Sequence, residues 1–358
     1  MPSNSWLWVF NRRMRGKSHS SVAVWLAIFA ITAVELARGP ELSEAAAARK
    51  IIVAHAAMSA RVAPLWIARE RGFFSKYGVD ADTLFVRSAP TLVAAMTSGE
   101  IDIGFTGGTA VVGAIASGSD LKILAGFTNR VTYDLVVRPG IKSAQDLKGK
   151  KFGVQAIGGT VWMGAVLALE HLGLDPERDK ISILSVGDQT VLAQALASGI
   201  IDATVLDGVL SQKLHANGFP FLGNIAQANL PILSFSVVAR EPYIQKNPQI
   251  VDGAMRALVE GLVFSLAPSQ KTVTIKILQK YLRIDEKSAE EGVNDLLTGF
   301  DRKPYAQPQA LRNIVRLMKA RSPAVEKVKV EEAIDDRILK RLDQSGFLDE
   351  LYNKYGVK

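Results

Sequence analysis

Two short stretches of the sequence carry the same residue types at the same spacing. Gly-Gly-Thr, three variable residues and Gly-Ala occur in GGTAVVGA at 107–114 and again in GGTVWMGA at 158–165. Each stretch follows an apolar, strand-like run and precedes a helical pattern. Glycine lets a ligand approach the backbone without a Cβ in the way, and a helix N-terminus offers unpaired N–H groups with a partial charge of about +0.5. Together the two stretches predict a two-jawed site for an anionic group.

This interpretation makes six residues candidates for ligand binding: Gly107, Gly108, Thr109, Gly158, Gly159 and Thr160. Each threonine could cap its helix or donate its hydroxyl to the ligand. The alternative is that both stretches are merely tight strand-to-helix connections, because an isolated glycine motif is a weak signal.

Further candidates follow other predicted strands. His55 ends the first strand, with Met58 and Ser59 in the loop after it, and Asp207 follows the strand at 203–206. Asp207 could accept a hydrogen bond from a ligand amine or hydroxyl, or cap the next helix. For His55 the alternative is a hydrogen-bonded histidine at a sheet edge.

Two aromatic residues complete the set of candidates. Tyr133 lies on a predicted strand between two halves of the chain, where it would form a wall of a cleft. Trp162, two residues after Thr160, either lines the pocket or packs on the sheet. The spacing of Trp66 and of Leu258, Leu262 and Leu266 is typical of core residues.

Composition excludes several kinds of chemistry. The 358 residues are 48% hydrophobic and 22% charged and include no cysteine, which rules out disulfides, thiol catalysis and cysteine-bound metal. The other histidines, at positions 19, 171 and 215, are scattered without metal-ligand spacing. We therefore expect no metal and no cofactor.

Charge argues against a nucleic-acid partner. The formal net charge of +8 is modest for this length, and the basic residues are spread along the chain. Binding to a phosphate backbone requires basic residues gathered in a patch or stripe.

The first 48 residues have the pattern of a secretory signal peptide. Arg12, Arg13, Arg15 and Lys17 precede an uncharged, mostly apolar run at 22–34. That run is shorter than the roughly 20 residues that a membrane-spanning helix needs. Cleavage is expected after the small residues at 46–48, with Ala37 as a rival site, by either the Sec or the twin-arginine route. The mature protein would then reside in the periplasm.

After residue 49, strand-like runs alternate with helical patterns in two series, which predicts α/β architecture with parallel sheets. A repeat supports two equivalent units, since TLVAAMTSGEIDIGFTGG at 91–108 aligns with VLAQALASGIIDATVLDG at an offset of 100. In both copies a helix ends at glycine and turns into a buried strand.

Two further strand patterns, at 131–138 and 232–240, are expected to cross between the units, and the chain beyond them is helical. We predict a first lobe of 49–137 and 238–358, which includes the C-terminal helices, and a second lobe of 138–237. Two lobes joined by two crossings can hinge about a cleft.

Several segments between 51 and 260 resemble periplasmic binding proteins of ABC importers, in the sulfonate, taurine, nitrate and thiamine-precursor group. They include APLWIARERGFFSKYGVD, LVAAMTSGEIDIGFTGG, DLKGKKFGV and LASGIIDATVLDG. In that family the strand that corresponds to 203–206 often ends in Trp-Asp/Glu-Pro, and this chain keeps the acid as Asp207 but has Leu206 in place of Trp and Gly208 in place of Pro. The resemblance therefore does not by itself imply sulfonate specificity.

The resemblance implies a type II bilobed binding fold without catalysis, acting as a monomer with a permease and ATPase complex in the inner membrane. The ligand would be a small anionic or zwitterionic solute, similar to a sulfonate, taurine or nitrate, held between the lobes. Alternatives are a pyrimidine or thiamine-precursor binding protein, a synthase-like enzyme on the same fold, or a sensor component. The thiamine-pyrimidine synthases carry a cysteine-rich motif, which is absent here.

Export and processing give the first prediction. Mass spectrometry of protein recovered from the periplasm should show a mature chain that starts near Arg49, because the basic segment and short apolar run would direct export and be removed. Full-length chain retained in the inner membrane would contradict the assignment.

Overall fold

The computed structural model describes residues 50–357, so the predicted signal peptide at 1–48 lies outside the described residues. Nine strands form two sheets in this part of the chain. In the first sheet the order is β2-β1-β3-β9-β4, with β1 (Ile51–His55), β2 (Ala81–Phe85), β3 (Ile103–Thr106), β4 (Leu121–Arg130) and β9 (Pro231–Arg240). In the second the order is β5-β8-β6-β7, with β5 (Asp134–Val137), β6 (Lys151–Val154), β7 (Ser182–Ser185) and β8 (Ala203–Leu206).

Helices connect the strands and form the C-terminal part. Those between strands are α1 (Ala63–Glu70), α2 (Phe73–Lys76), α3 (Ala89–Ser98), α4 (Gly108–Ala116), α5 (Thr160–His171), α6 (Gln189–Ala197) and α7 (Gly208–Ala216). The C-terminal ones are α8 (Glu241–Lys246), α9 (Pro248–Leu266), α10 (Lys271–Leu282), α11 (Glu286–Gly299), α12 (Pro308–Met318), α13 (Val330–Ala333), α14 (Arg337–Gln344) and α15 (Phe347–Tyr355). Short 3₁₀ turns lie at Ala60–Val62, Ala144–Leu147, Pro268–Gln270 and Pro323–Lys327. The α/β class with two lobes and a helical C-terminal extension is confirmed.

Each sheet contains one strand that runs against the others. Strand β9 is antiparallel to β3 and β4, and β5 is antiparallel to β8, whereas the remaining pairs are parallel. The carboxyl ends of the parallel strands in both sheets face the same cleft. A chain that crosses this cleft enters the other sheet at its carboxyl edge and must run in the opposite direction. The parallel pairing expected from the alternation of strands and helices is present, and the two strands that follow a crossing are antiparallel to their neighbours.

The change of sheet occurs a few residues before the expected lobe boundaries. Strand β5 pairs entirely within the second sheet and β9 entirely within the first. The crossings are thus the short segment 131–133 and the chain just before Pro231, where the Val131 N–H donates to the Leu230 carbonyl over 2.8 Å. The strands predicted to cross instead belong each to one sheet, because ladder hydrogen bonds satisfy their backbone groups there.

The internal repeat corresponds to the same local structure in both sheets. Asp102 Oδ2 accepts from the Ile52 N–H over 2.9 Å, and Asp202 Oδ2 accepts from the Lys151 N–H over 3.0 Å. Each aspartate thereby fixes the start of the neighbouring parallel strand. Gly99, with φ +89°, ends α3, and its counterpart near the end of α6 also has a positive φ.

The helices of the C-terminal extension pack on the first sheet. Trp66 of α1 and Leu258 and Leu262 of α9 are fully buried, as their spacing predicts. Helix α11 contacts both the turn at Ala60–Val62 and helix α7, so it touches both lobes. Among the described helices, none combines the length and apolar character needed to cross a bilayer.

Candidate functional site

A central cavity lies between the carboxyl ends of the two sheets. Its first-lobe wall is Ala56, Ala57, Ser59, Ala89, Phe105, Thr106, Gly107, Ser234 and Phe235, and its second-lobe wall is Tyr133, Gln155, Ala156, Gly159, Thr160, Val161, Gln189 and Asp207. The cavity volume is about 30 Å³, and one water molecule needs about 10 to 15 Å³ of such volume. In this conformation the site holds about two water molecules, so a larger solute requires the lobes to part or the walls to rearrange.

The two Gly-Gly-Thr segments meet across this cavity. Gly107 is the N-cap of α4, and Thr160 is the first residue of α5, whose N-cap is Gly159. A Cβ atom at position 107 would lie 1.9 Å from Thr160 Oγ1 and 2.8 Å from the Ser234 carbonyl oxygen. Gly107 has an ordinary φ of −83°, so close approach of the other lobe, and not backbone strain, requires glycine here.

Asp207 is the one carboxylate in the lining of the described cavity. It follows β8 as the N-cap residue of α7, yet its side chain makes no capping hydrogen bond. The residue is only 3% exposed, and its Oδ2 has no hydrogen-bond partner among the described residues. A buried acceptor without a partner is costly. The alternative that Asp207 caps the next helix is not seen, and its role as an acceptor for a ligand stays a prediction.

The surroundings of Asp207 raise the pKa of its carboxyl group. Burial raises the pKa of Asp207 to about 6, and Asp295 and Asp134 add to the rise, while Arg61 and a hydrogen bond from Ser59 oppose it. Arg61 is itself fully buried, and its Nη2 donates to the Thr132 carbonyl and to Asp295 Oδ1. None of the described residues that line the cavity carries a basic side chain.

Gln155 joins the two lobes at the cavity. Its Nε2 donates to the carbonyl oxygens of Ala56 over 3.1 Å and Arg87 over 2.6 Å, both in the first lobe. Gln189 lines the same cavity, but its Oε1 accepts from the Asp207 N–H within the second lobe. Gln155 therefore makes hydrogen bonds between the lobes, whereas Gln189 makes one inside the second lobe.

Half of the sequence-predicted site residues line the central cavity: Ser59, Gly107, Tyr133, Gly159, Thr160 and Asp207. Tyr133 is buried against Gly164, and the Arg61 guanidinium lies 5.7 Å from its ring centroid. That these six contact a solute stays a prediction.

Two candidates at the end of the first strand and in the loop after it, His55 and Met58, do not line this cavity. His55 is buried between the rings of Trp66 and Phe85, with Nδ1 2.8 Å from the Ala57 carbonyl oxygen. Burial lowers the pKa of His55 to about 4, which agrees with the alternative of a hydrogen-bonded histidine at the sheet edge. Met58 lines a neighbouring chamber instead.

Four residues of the glycine segments also lie elsewhere, because successive positions on a helix start rotate to different faces. Gly108 faces Leu233 and Ile314. Thr109 and Gly158 line an outer groove beside α3. Trp162 is buried, and the Arg321 guanidinium lies 5.6 Å from its ring.

Sequence reasoning missed the polar residues Thr106, Gln155, Gln189 and Ser234 in the lining. The rule that selected Asp207, a polar residue directly after a buried strand, would also have selected Gln155, which follows β6. Thr106 ends β3, is 2% exposed, and its Oγ1 has no hydrogen-bond partner among the described residues. Within residues 50–357, no cluster of three or more His, Asp or Glu side chains is placed to hold a metal ion.

Comparison with known families identifies the class of protein. Residues 59–271 match the family model described as NMT1/THI5 like. The chain belongs to the NMT1/THI5-like family. A Brucella abortus protein, named provisionally as a binding protein, is 31% identical over 234 residues, which are 63% of this chain and 69% of the relative. Bacillus subtilis YtlA, named in the same way, is 24% identical over 68% of this chain and 74% of its own length.

Solved structures share the fold at low identity. A protein from Bordetella bronchiseptica has a TM-score of 0.72 at 20% identity, covering 83% of this chain and 97% of its own. The alkanesulfonate-binding protein SsuA from Xanthomonas axonopodis, bound to MOPS, has a TM-score of 0.67 at 19% identity over 80% and 98%. The periplasmic nitrate-binding protein NrtA from Synechocystis has 0.67 at 16% over 84% and 89%. This chain therefore has the fold of periplasmic binding proteins.

The raised pKa of Asp207 predicts how its removal affects stability. Because its folded-state pKa of about 6 exceeds the ordinary 3.8, the folded protein binds more protons than the unfolded chain between these pH values. This group therefore lowers the free energy of unfolding as pH rises from 4 to 7. The advantage of Asp207→Asn over wild type should grow by roughly 3 kcal/mol over that range.

Urea unfolding at both pH values measures this difference. The control is Asp188→Asn, which removes a more exposed carboxylate at the N-cap of α6, where asparagine also caps well. An Asp207→Asn difference that is the same at pH 4 and pH 7 would contradict the assigned environment.

The interlobe hydrogen bonds of Gln155 give a second prediction. Gln155→Ala removes both, so the ligand-free protein should spend more time open and show a larger radius of gyration in small-angle scattering. Gln189→Ala, which removes a contact inside one lobe, should leave the radius unchanged. Equal radii for both variants and wild type would show that Gln155 does not hold the lobes together.

Proposed function

We propose that the protein is the extracytoplasmic solute-binding component of an ABC importer and captures a small anionic or zwitterionic solute in the central cavity. The observation that supports the proposal is this cavity, enclosed by both lobes, because two of its lining residues, Thr106 and Asp207, each have a buried side-chain oxygen without a partner among the described residues. Buried polar groups are normally hydrogen-bonded, so their combination indicates a partner that binds from the cleft. The provisional names of the relatives support a binding role.

The N-terminus of α5 supports an anionic group on the solute. Gly159 and Thr160 line the cavity at the start of this 12-residue helix, where unpaired N–H groups and the helix dipole favour negative charge. A sulfonate and a nitrate are the ligands named for two proteins of the same fold. In this proposal the start of α4 contributes Gly107 to the site, and the hydroxyl of Thr109 does not contact the solute.

Binding without catalysis is part of the proposal. The titratable side chains in the described lining are Tyr133 and Asp207. Burial raises the pKa of Tyr133 far above neutral pH, so it does not serve as a nucleophile or a general base near pH 7. The expected partners are a permease and ATPase complex in the inner membrane, with periplasmic residence of a monomeric binding protein.

A pyrimidine-type thiamine precursor is the second candidate solute. One observation favours it: Asp207 offers an acceptor for ring or exocyclic N–H groups in a cavity whose described lining has no basic side chain. A thermal-shift screen of sulfonates, nitrate, taurine, carboxylates and pyrimidines separates the two. Ligand at about 100 times its Kd adds roughly 2.7 kcal/mol to the free energy of unfolding.

The two threonines of the glycine segments provide a matched test. With the tightest-binding compound of that screen, Thr160→Val should weaken binding by roughly 1 to 3 kcal/mol, about 10- to 100-fold, because it removes a hydroxyl from the cavity. Thr109→Val changes the same residue type outside the cavity and should leave Kd within about twofold.

Isothermal titration calorimetry measures both variants. If Thr160→Val binds as tightly as wild type, or if every compound that binds lacks an anionic group, the anionic site at α5 is wrong.

A further inference from the structure

A second, larger space adjoins the central cavity. This outer chamber has a volume of about 360 Å³ and is lined by Met58, Ser59, Ala60, Asp188, Thr190, Val191, Gln194, Asp207, Val209, Leu210, Leu282 and Ile284. Ser59 and Asp207 line both spaces. Ser59 and Asp207 thus form a wall between two neighbouring spaces, and the chamber is more than ten times larger than the cavity.

Asp207 lies in the wall that the two spaces share. Its Oδ2 is buried without a partner among the described residues, and its side chain does not cap α7. A solute that places a hydrogen-bond donor against Oδ2 satisfies this acceptor. A purely anionic solute would instead bring negative charge towards a carboxylate, in a lining with no basic side chain among the described residues. The charge distribution thus favours a solute with its own positive or N–H-bearing nitrogen.

The rest of the chamber has a different chemistry. Apolar side chains from both lobes face it, with Met58, Leu282 and Ile284 from the first lobe and Val209 and Leu210 from the second. Apart from Ser59 and Asp207, its polar residues are Asp188, Thr190 and Gln194, at the N-cap and along α6, and Asp188 Oδ1 is already engaged by the Thr190 and Val191 N–H groups. Binding is favoured when an apolar group of the solute replaces water against these apolar side chains.

We propose that the solute carries a protonated or N–H-bearing nitrogen that donates to Asp207 Oδ2, and an apolar substituent that occupies the outer chamber. This inference rests on the proposed solute-binding function and specifies its ligand class. The anionic group lies towards α5, the nitrogen at Asp207, and the apolar group between Met58 and Leu282.

Four sulfonates test the two features independently by calorimetry. They are N-benzyltaurine, which carries a ring beyond its nitrogen; 4-phenylbutane-1-sulfonate, with the ring alone; taurine, with nitrogen alone; and ethanesulfonate, with neither. We expect each nitrogen-bearing compound to bind about 10- to 100-fold more tightly than its nitrogen-free counterpart, the range for a hydrogen bond to a charged group. The ring should add a further severalfold gain.

Variants assign each gain to its residues. Asp207→Asn should abolish most of the preference for nitrogen, whereas Asp188→Asn, which removes the other carboxylate of the chamber, should retain it. Leu282→Ala should reduce the gain from the ring and leave the preference for nitrogen intact. If Asp207→Asn fails to fold, the four wild-type affinities still decide the question.

Four results would overturn the inference. If the nitrogen-free sulfonates bind as tightly as the amines, or if Asp207→Asn keeps the preference, the role of Asp207 is wrong while the proposed solute-binding function stands. If the ring gives no gain, the outer chamber is not a subsite. If none of the four compounds binds, the anionic or zwitterionic solute proposed above fails, and this inference fails with it.

Discussion

The close approach of Gly107 to Thr160 sets the spacing of the two lobes. A side chain at position 107 would collide with the threonine hydroxyl and with the Ser234 backbone, so the start of α4 can reach the start of α5 only through glycine. This contact brings together the carboxyl ends of both sheets. Gln155 of the second lobe adds two hydrogen bonds to backbone carbonyl groups of the first lobe. The small volume of the central cavity is a consequence of this spacing.

Asp207 destabilises the folded protein. Its carboxylate is buried with Oδ2 unpaired among the described residues, while Asp134 and Asp295 add negative charge nearby. The fully buried Arg61 offsets part of this cost but spends its hydrogen bonds from Nη2 on Asp295 and the Thr132 carbonyl. Placement of an unpaired acceptor where a solute can satisfy it is typical of a binding site, since such sites retain groups that a purely structural core would exclude.

Much of the fold could be predicted from the sequence because it depends on local patterns. The alternation of apolar runs and helical periodicity located the strands and helices, and the repeat at an offset of 100 corresponds to paired aspartates, Asp102 and Asp202, with the same role in each sheet. The direction of β5 and β9 relative to their neighbouring strands could not be predicted from local sequence patterns. It depends on which edge of a sheet the chain enters after a crossing, which is a property of the assembled lobes.

The site was predictable only in part, for a similar reason. A residue that directly follows a strand faces the cleft, which explains why Asp207 and Gly107 were found, and the same rule could have found Gln155. Within the first turn of a helix successive side chains point in different directions, so Thr109 of α4 and Trp162 of α5 lie outside the cavity. Arg61 gave no signal, because its partners Thr132 and Asp295 are distant in sequence and a basic residue beside a helix usually faces solvent.

A crystal structure of the protein with the tightest-binding compound from the screen tests the central claim most directly. The account predicts electron density for the compound between the lobes, with a nitrogen about 2.7 to 3.1 Å from Asp207 Oδ2 and an anionic group at the N-terminus of α5. A compound that occupies the outer groove beside α3, or that presents no hydrogen-bond donor to Asp207, would contradict it.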